Sequence, residues 1–191
     1  LFSTHEPLSY KDGLTSIKSI NTGSKSELFI TDYFATWKLV PDEESVFKFS
    51  KNEDRWAQSF MEIKNGNTLY STRLGLYQLS KNDSTMLDVD ILADKFLLDL
   101  NNDVWIPIKG GGVSKFIDNA LEPVVPLDNY LVRDLFFESD SIVWAATNQG
   151  LVQLQRDART GKFEYKKKLT LANGLLTNDV TAIRTDSNNL Y

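Results

Sequence analysis

The fold is decided by Val143-Trp144-Ala145-Ala146-Thr147-Asn148-Gln149-Gly150-Leu151 and by its copies elsewhere in the chain. The stretch is an aliphatic–aromatic pair, a short polar segment, and a glycine followed by an aliphatic residue. The same pattern occurs at residues 69–76, at 104–113 and, without the glycine, at 28–37. A further copy begins at Leu190-Tyr191. The sequence is therefore that of a repeat protein.

The spacing of the copies indicates the kind of repeat. The aliphatic–aromatic pairs start at residues 28, 69, 104, 143 and 190, in steps of 41, 35, 39 and 47. Short apolar runs and glycine- or asparagine-containing turns fill each step, and helical spacing competes only at residues 88–100. A period of about forty built from strands and turns is typical of propeller blades. The sequence predicts an all-β propeller of four-stranded antiparallel blades.

The repeat also predicts where the blades lie. The expected blade cores cover residues 13–49, 56–80, 95–117 and 130–166, and an incomplete blade covers 174–191. The chain would be a single propeller segment of about four and a half blades. Residues 13–29 and 174–191 supply the same half of a blade and do not complement each other. A closed ring would leave one of these halves redundant, so we expect a fragment of a larger propeller. The alternative is an open array that assembles edge to edge with another chain.

Two residue types in the repeat have predicted structural roles. We expect the aromatic residues of the pairs to be packed between blades rather than to stack on a ligand. These residues are Phe29, Tyr70, Trp105 and Trp144. We expect the glycines after the polar segments to adopt backbone conformations that a Cβ atom would disfavour. These glycines are Gly75, Gly112 and Gly150.

Composition argues against several classes of function. The 21 basic and 26 acidic residues give a net charge of -5 without a basic stripe, so we expect no nucleic-acid partner. The run Lys166-Lys167-Lys168 is interpreted as a solvated turn or strand edge. The chain has no cysteine and a single histidine, His5, which cannot build a histidine metal site alone. No apolar run is long enough to span a bilayer. We expect no cofactor, no metal and no membrane contact within this segment.

An enzyme such as a propeller lyase or glycosidase would need paired carboxylates or a metal cluster. The densest acidic group is Asp88, Asp90 and Asp94, which lies between repeats with no histidine nearby. We interpret it as a solvated loop and expect no enzymatic activity.

The polar segments of the repeat are the candidate ligand contacts, because ligands of propellers usually meet the loops at one end of the central channel. The candidate residues are Tyr33, Phe34, Arg73, Lys109, Asn148 and Gln149. Amide, cationic and aromatic groups of this kind suit hydroxyl-rich or acidic sugars. The alternative interpretation is that these residues are ordinary hairpin tips, which are polar in any protein.

Residues 141–151, followed by residues 173–183, resemble the two-component regulator propeller repeat. Within the second stretch, Val180-Thr181-Ala182-Ile183 is predicted to be a strand of the incomplete blade. Trp37 and the segment Ala145-Ala146-Thr147 depart from the usual pattern of that family. The resemblance implies the extracytoplasmic, periplasmic sensor region of a membrane-bound regulator such as a hybrid histidine kinase that responds to oligosaccharides. It also implies a full propeller of about seven blades.

The sequence thus predicts a non-enzymatic, ligand-binding sensor segment of a bacterial signal-transduction protein. Its expected partners are an oligosaccharide or other small ligand, neighbouring blades, and copies of itself. The alternative is a scaffold for protein–protein interaction or dimerisation with no small-molecule ligand, which a broad exposed hydrophobic surface would favour.

Overall fold

The structure, a computed structural model, describes residues 19–22, 28–31, 36–39, 46–50, 58–80 and 83–185. In the first four of these ranges, side chains are described only at Ile20 and Ile30.

The described chain forms sixteen strands in four sheets. The first sheet contains β1 (Ser19–Thr22), β2 (Leu28–Thr31), β3 (Thr36–Leu39) and β4 (Val46–Ser50). The second contains β5 (Ser59–Glu62), β6 (Thr68–Thr72), β7 (Gly75–Ser80) and β8 (Asp83–Asp88). The third contains β9 (Leu97–Leu98), β10 (Val104–Pro107), β11 (Val113–Ile117) and β12 (Ala120–Pro123). The fourth contains β13 (Val132–Ser139), β14 (Ile142–Thr147), β15 (Gly150–Arg156) and β16 (Phe163–Leu169).

Each sheet is an antiparallel meander in which neighbours in sequence are neighbours in space. The prediction of four-stranded antiparallel units is confirmed. The fourth strands of the second and third sheets, β8 and β12, lie beyond the predicted blade cores 56–80 and 95–117. In the described ranges the remaining regular structure is two 3-10 turns, Val125–Leu127 and Leu171–Asn173.

The chain divides into two compact units, Leu1–Phe96 and Leu97–Tyr191. In the first unit, β5 lies against β1 and β2. The rings of Tyr70 and Tyr77 face each other across β6 and β7, with centroids 5.1 Å apart and planes 11° apart. Phe60 completes this buried aromatic cluster. Tyr70 is therefore a core residue, as predicted.

In the second unit, the third and fourth sheets share a core centred on Trp105, which is fully buried at 0% exposure. The rings of Phe137 and Phe163 from the fourth sheet meet Trp105 edge-on, each with its centroid 5.3 Å away. Trp144 is also buried, on the side of the fourth sheet that packs against Leu175 and Ile183. The prediction that these tryptophans are core residues is confirmed, and the Phe29 side chain lies outside the described residues.

The predicted glycine conformations are also confirmed. Gly75, Gly112 and Gly150 have φ values of +135°, +85° and +122°. At two of them the backbone of the outer strand leaves no room for a side chain. A Cβ atom on Gly75 would lie 2.3 Å from the Asp88 carbonyl oxygen, and one on Gly150 would lie 2.3 Å from the Leu169 carbonyl oxygen. The same close contact thus recurs in the second and fourth sheets.

Three local predictions have clear outcomes. Residues 89–96 contain no helix, so the helical alternative for residues 88–100 is wrong. The three lysines at 166–168 lie on the outer strand β16, which confirms the interpretation as a strand edge. Val180-Thr181-Ala182-Ile183, predicted as a strand of the incomplete blade, forms none. A strand requires a paired neighbour, and this segment instead bonds to side chains and to one carbonyl of the fourth sheet.

Across the described ranges, no helix is both long and apolar enough to cross a membrane.

Candidate ligand-binding loops

Two kinds of loop meet at one end of each sheet. Because neighbouring strands are antiparallel, the hairpin between the second and third strands lies at the same end as the linker that leaves the fourth strand. We call this the loop end. In the second unit it comprises the hairpins at residues 108–112 and 148–149 and the linker at residues 124–131. The predicted residues Lys109, Asn148 and Gln149 all lie in these hairpins.

The hairpin of the fourth sheet is a two-residue turn between Thr147 and Gly150, which are paired in the ladder. The buried Thr147 hydroxyl donates to the Gly150 carbonyl oxygen at 2.6 Å and accepts the Gln149 N–H at 3.1 Å. A hydroxyl that bonds the backbone two residues on is a common way to fix a turn. The turn that carries Asn148 and Gln149 is therefore fixed by the two hydrogen bonds of the Thr147 hydroxyl.

Asn148 ties this hairpin to the linker. Its side-chain Oδ1 accepts the Leu131 N–H at 3.0 Å, and its own N–H donates to the Leu131 carbonyl oxygen at 3.2 Å. The linker residue is therefore paired with Asn148 in both directions. The asparagine has a structural role in addition to any role in binding.

Two more hydrogen bonds hold the same linker. The Gln149 side-chain Nε2 donates to the Asn129 carbonyl oxygen at 3.2 Å. From the neighbouring hairpin, the Gly112 N–H donates to the Tyr130 carbonyl oxygen at 2.8 Å. The linker segment at residues 128–131 is thus bonded to the hairpins of both the third and the fourth sheet.

The remaining predicted site residues are placed differently. Lys109 is exposed in the hairpin of the third sheet and precedes Gly110, Gly111 and Gly112, all of which have positive φ. Arg73 is exposed in the hairpin of the second sheet, where Thr72 Oγ1 accepts the Leu74 N–H at 3.0 Å. Arg73 belongs to the first unit and the other three to the second. Tyr33 and Phe34 lie outside the described residues. Among the four predicted residues that the structure describes, Asn148 and Gln149 are the two that bond to the same linker segment.

No protein family and no curated protein matches this chain. Solved structures do resemble it. One is described as the extracellular domain of hybrid two-component system BT4673 from B. thetaiotaomicron, with a TM-score of 0.67, 14% identity, and coverage of 94% of this chain and 26% of that one. The corresponding domain of BT3049 gives a TM-score of 0.60 and 20% identity, covering 91% and 25%. Virginiamycin B lyase from Staphylococcus aureus gives 0.59 and 15%, covering 88% and 61%.

The meander sheets and these likenesses together decide the fold. It is that of a β-propeller. Each sheet is one blade of the propeller, and the chain spans about a quarter of the length of the sensor domains that it resembles. Its similarity to them, at 20% identity or less, establishes the fold alone.

A charged network lies at the opposite end of the third blade. Asp99 accepts the Trp105 indole N–H at 2.9 Å, the backbone N–H groups of Asn101 and Asp103 at 2.9 Å, and an ion pair from Lys115 at 3.3 Å. Burial raises the pKa of Asp99, but the hydrogen bonds from Trp105 and Asp103 and the Lys115 charge outweigh it and hold the pKa below the ordinary value of 3.8. Asp99 is therefore a structural carboxylate that is ionised at neutral pH.

The fourth blade repeats part of this arrangement. The Trp144 indole N–H donates to Glu138 Oε2 at 2.6 Å, and the Lys167 ammonium lies 5.1 Å from the centre of the Trp144 ring. In the third blade Lys115 lies 5.0 Å from the centre of the Trp105 ring. Sequence analysis missed both carboxylates, although each stands six residues before its tryptophan.

Residues 175–184 lie along the fourth blade without forming a strand. The buried Asp134 carboxylate, 5% exposed, accepts the Ile183 N–H at 3.1 Å and an Arg184 N–H at 2.8 Å. The adjacent residue, Arg133, forms a two-pronged ion pair with Asp179 at 2.9 and 3.2 Å. Adjacent residues of opposite charge on β13 therefore hold this segment in place.

Within the acidic group considered for catalysis, the Asp88 carboxylate has a local role in the structure. Asp88 Oδ1 accepts the Asp90 N–H at 2.7 Å, which closes a turn after β8. Within the described ranges, no group of three histidine, aspartate or glutamate side chains is arranged to hold a metal ion.

Each described linker that leaves a blade has an exposed aliphatic residue at its first or second position. Val89, Val125 and Leu171 follow the outer strands of the second, third and fourth blades and are 57, 66 and 55% exposed. Further along the last linker, Leu176 is 99% exposed. Single exposed aliphatic side chains are ordinary, but their recurrence at one place in the repeat is a feature of the loop end.

Proposed function

We propose that this chain is a non-enzymatic, ligand-binding sensor segment of a membrane-bound bacterial signal-transduction protein, located on the extracytoplasmic side. Its ligand is a small hydroxyl-rich molecule of the oligosaccharide class, and it binds at the loop end. It uses no metal or cofactor. The segment itself makes no contact with nucleic acid or membrane.

The observation that carries this proposal is the linkage of two hairpins through one linker segment. Residues 128–131 receive hydrogen bonds from Gly112 on one side and from Asn148 and Gln149 on the other. The side chains of Asn148 and Gln149 are therefore held in fixed positions before any ligand arrives. Fixed polar groups bind with a smaller loss of conformational entropy than mobile ones do.

The likeness to the extracellular domains of two hybrid two-component systems supports the sensor role and the extracytoplasmic location. The fold also occurs in a lyase, so the fold alone does not decide between sensing and catalysis. The structural roles of Asp88 and Asp99 in turns and networks favour sensing.

The test is a binding screen on the chain and on the full protein to which it belongs. Neutral and acidic oligosaccharides are added while the melting temperature is followed, and any compound that raises it is examined by calorimetry. We expect saturable binding without chemical change of the sugar. Conversion of a bound sugar to products would contradict the sensor proposal in favour of an enzyme.

A second candidate function is a scaffold for protein docking or dimerisation. It is favoured by the exposed aliphatic residues Val125 and Leu171, which follow the outer strands of the two blades of the second unit. Exposed apolar side chains grouped on one surface mark many protein–protein interfaces. Sedimentation analysis of the wild type and of Val125→Glu and Leu171→Glu tests this function. Association that both glutamates abolish, together with no sugar binding, would favour the scaffold.

A further inference from the structure

We propose that Asn148 and Gln149 form a fixed donor–acceptor pair that recognises two neighbouring hydroxyl groups of an uncharged sugar. Asn148 Nδ2 is the donor and Gln149 Oε1 is the acceptor. This inference rests on the proposed function, because it names the chemistry of the ligand at the same loop end.

The orientation of both amides follows from their partners. The Leu131 N–H can only donate, so the Asn148 atom that faces it at 3.0 Å is the carbonyl oxygen. The Asn129 carbonyl oxygen can only accept, so the Gln149 atom that faces it at 3.2 Å is the nitrogen. The opposite ends of the two amides are thereby determined. Asparagine presents a nitrogen and glutamine presents an oxygen.

These two atoms are available to a ligand. Both side chains are exposed, and in the described part of the chain no hydrogen bond uses Asn148 Nδ2 or Gln149 Oε1. Each amide is held at one end and open at the other. The turn beneath them is fixed by the Thr147 hydroxyl and by the close backbone contact at Gly150. The pair is therefore preorganised rather than assembled by the ligand.

The chemistry of the pair selects the ligand class. Neither group is charged, so the pair offers no strong attraction to a carboxylate or sulfate. Two neighbouring sugar hydroxyls match it, because one can accept from Asn148 Nδ2 while the other donates to Gln149 Oε1. A peptide strand would instead need an open strand edge for its main-chain hydrogen bonds. The Thr147–Gly150 hairpin offers none, since both of its strands are already paired on each side.

The test compares two substitutions that make the same chemical change. Asn148→Asp keeps an oxygen to accept the Leu131 N–H but replaces the open donor by an acceptor. Asn129→Asp is the matched control: its side chain is exposed, its backbone carbonyl is the part that bonds Gln149, and it adds the same charge to the same linker region. Binding of a panel of neutral oligosaccharides (cellopentaose, xylopentaose and maltopentaose) and of trigalacturonate is measured by saturation-transfer NMR and calorimetry. Melting temperatures of both variants are recorded.

We expect the wild type to bind a neutral member of the panel. Asn148→Asp should bind the same sugar at least about tenfold more weakly, with little change in melting temperature. Asn129→Asp should bind nearly as well as the wild type. If a neutral sugar binds equally to Asn148→Asp, or if both variants lose affinity alike, the donor–acceptor pair is overturned while the sensor function stands. If trigalacturonate is the one sugar of the panel that binds, the proposal of a donor–acceptor pair is also overturned, while the proposed sensor function stands. Binding of a protein or peptide in place of every sugar overturns both.

Discussion

The indole N–H of Trp105 donates a hydrogen bond of 2.9 Å to Asp99, a carboxylate six residues earlier in the chain. The same relationship recurs between Trp144 and Glu138 at 2.6 Å. A buried indole N–H needs an acceptor. In the third blade the turn after the first strand supplies it, and in the fourth blade the end of the first strand, β13, does so. In both blades the tryptophan that packs the core is thus also bonded to a carboxylate just before its own strand.

Asp99 makes the stability of the chain depend on pH in the acid range. Its pKa is lower in the folded state than the ordinary value of 3.8, so the unfolded chain takes up the proton first as the pH falls. The stabilisation is present above about pH 4 and is lost as the pH falls through the folded-state pKa. In Asp99→Asn, urea unfolding at pH 7 and at pH 3 should show a smaller difference in free energy than in the wild type.

Asp128→Asn serves as the control for this pH dependence. Asp128 is exposed in the same unit, and the substitution removes a carboxylate without removing any hydrogen bond of the Asp99 network. An equal loss of pH dependence in both variants would show that the effect comes from overall charge rather than from Asp99.

Gly150→Ala should be strongly destabilising because it meets two obstacles at once. The φ value of +122° is unfavourable for alanine, and the new Cβ atom would lie 2.3 Å from the Leu169 carbonyl oxygen. We expect a loss of about 2–4 kcal/mol in the free energy of unfolding. Gly174→Ala is the matched comparison, since φ is +96° but no atom lies within 4 Å of the added Cβ. Its loss should be about 1 kcal/mol, and equal losses in chemical denaturation would contradict the steric argument.

Replacing Arg133 and its neighbour Asp134 by alanine should lower the free energy of unfolding by clearly different amounts. The Arg133–Asp179 pair is largely exposed, so Arg133→Ala should cost less than about 1 kcal/mol. Asp134→Ala leaves the Ile183 N–H without its acceptor at a buried position, at a cost of about 1–3 kcal/mol. Limited proteolysis after residue 170 should also become faster in Asp134→Ala. Unchanged proteolysis would mean that other contacts hold the segment.

The hydroxyl of Thr147 should contribute more to the free energy of unfolding than the hydroxyl of Thr72 does, although both residues precede equivalent hairpins. Thr147 Oγ1 makes two hydrogen bonds, whereas the hydroxyl bond found at Thr72 is the one it accepts from Leu74. We expect Thr147→Val to lower the free energy of unfolding by about 1–2 kcal/mol and Thr72→Val by about half as much. The midpoints of urea unfolding provide the measurement, and the reverse order would contradict this account.

The parts of the fold that were predictable from sequence are those with a strong local signal. Aliphatic–aromatic pairs identified the second strands, and glycine after a polar segment identified the hairpins at Gly75 and Gly150. The outer strands β8 and β12 were missed because they lie at the edge of their blades and lack a clear alternation of apolar and polar residues. Val180–Ile183 has the alternation of a strand, but the N–H groups of Val180 and Ile183 bond to Thr147 and Asp134 of the fourth blade.

The candidate site was predictable only in part for a related reason. Asn148 and Gln149 were identified from their position in the repeat, but their bonds to Leu131 and Asn129 join residues 17 and 20 positions apart. No pattern within one repeat indicates such a contact, since the acceptor and donor are backbone groups that every residue carries. The same holds for the bond from Ile183 to Asp134, across 49 positions.

The hydrogen bonds that join the linker segment at residues 128–131 to the two hairpins all use its main chain. Its contacts with Gly112, Asn148 and Gln149 all use backbone atoms of Asn129, Tyr130 and Leu131. Substitutions that change these side chains therefore leave the hydrogen bonds intact, whereas an insertion or deletion of a single residue would move at least one of them out of reach. In homologues, we expect the exposed position of Asn129 to vary freely, the position of Tyr130 to keep a side chain that packs on the core, and the number of residues in the segment to stay constant.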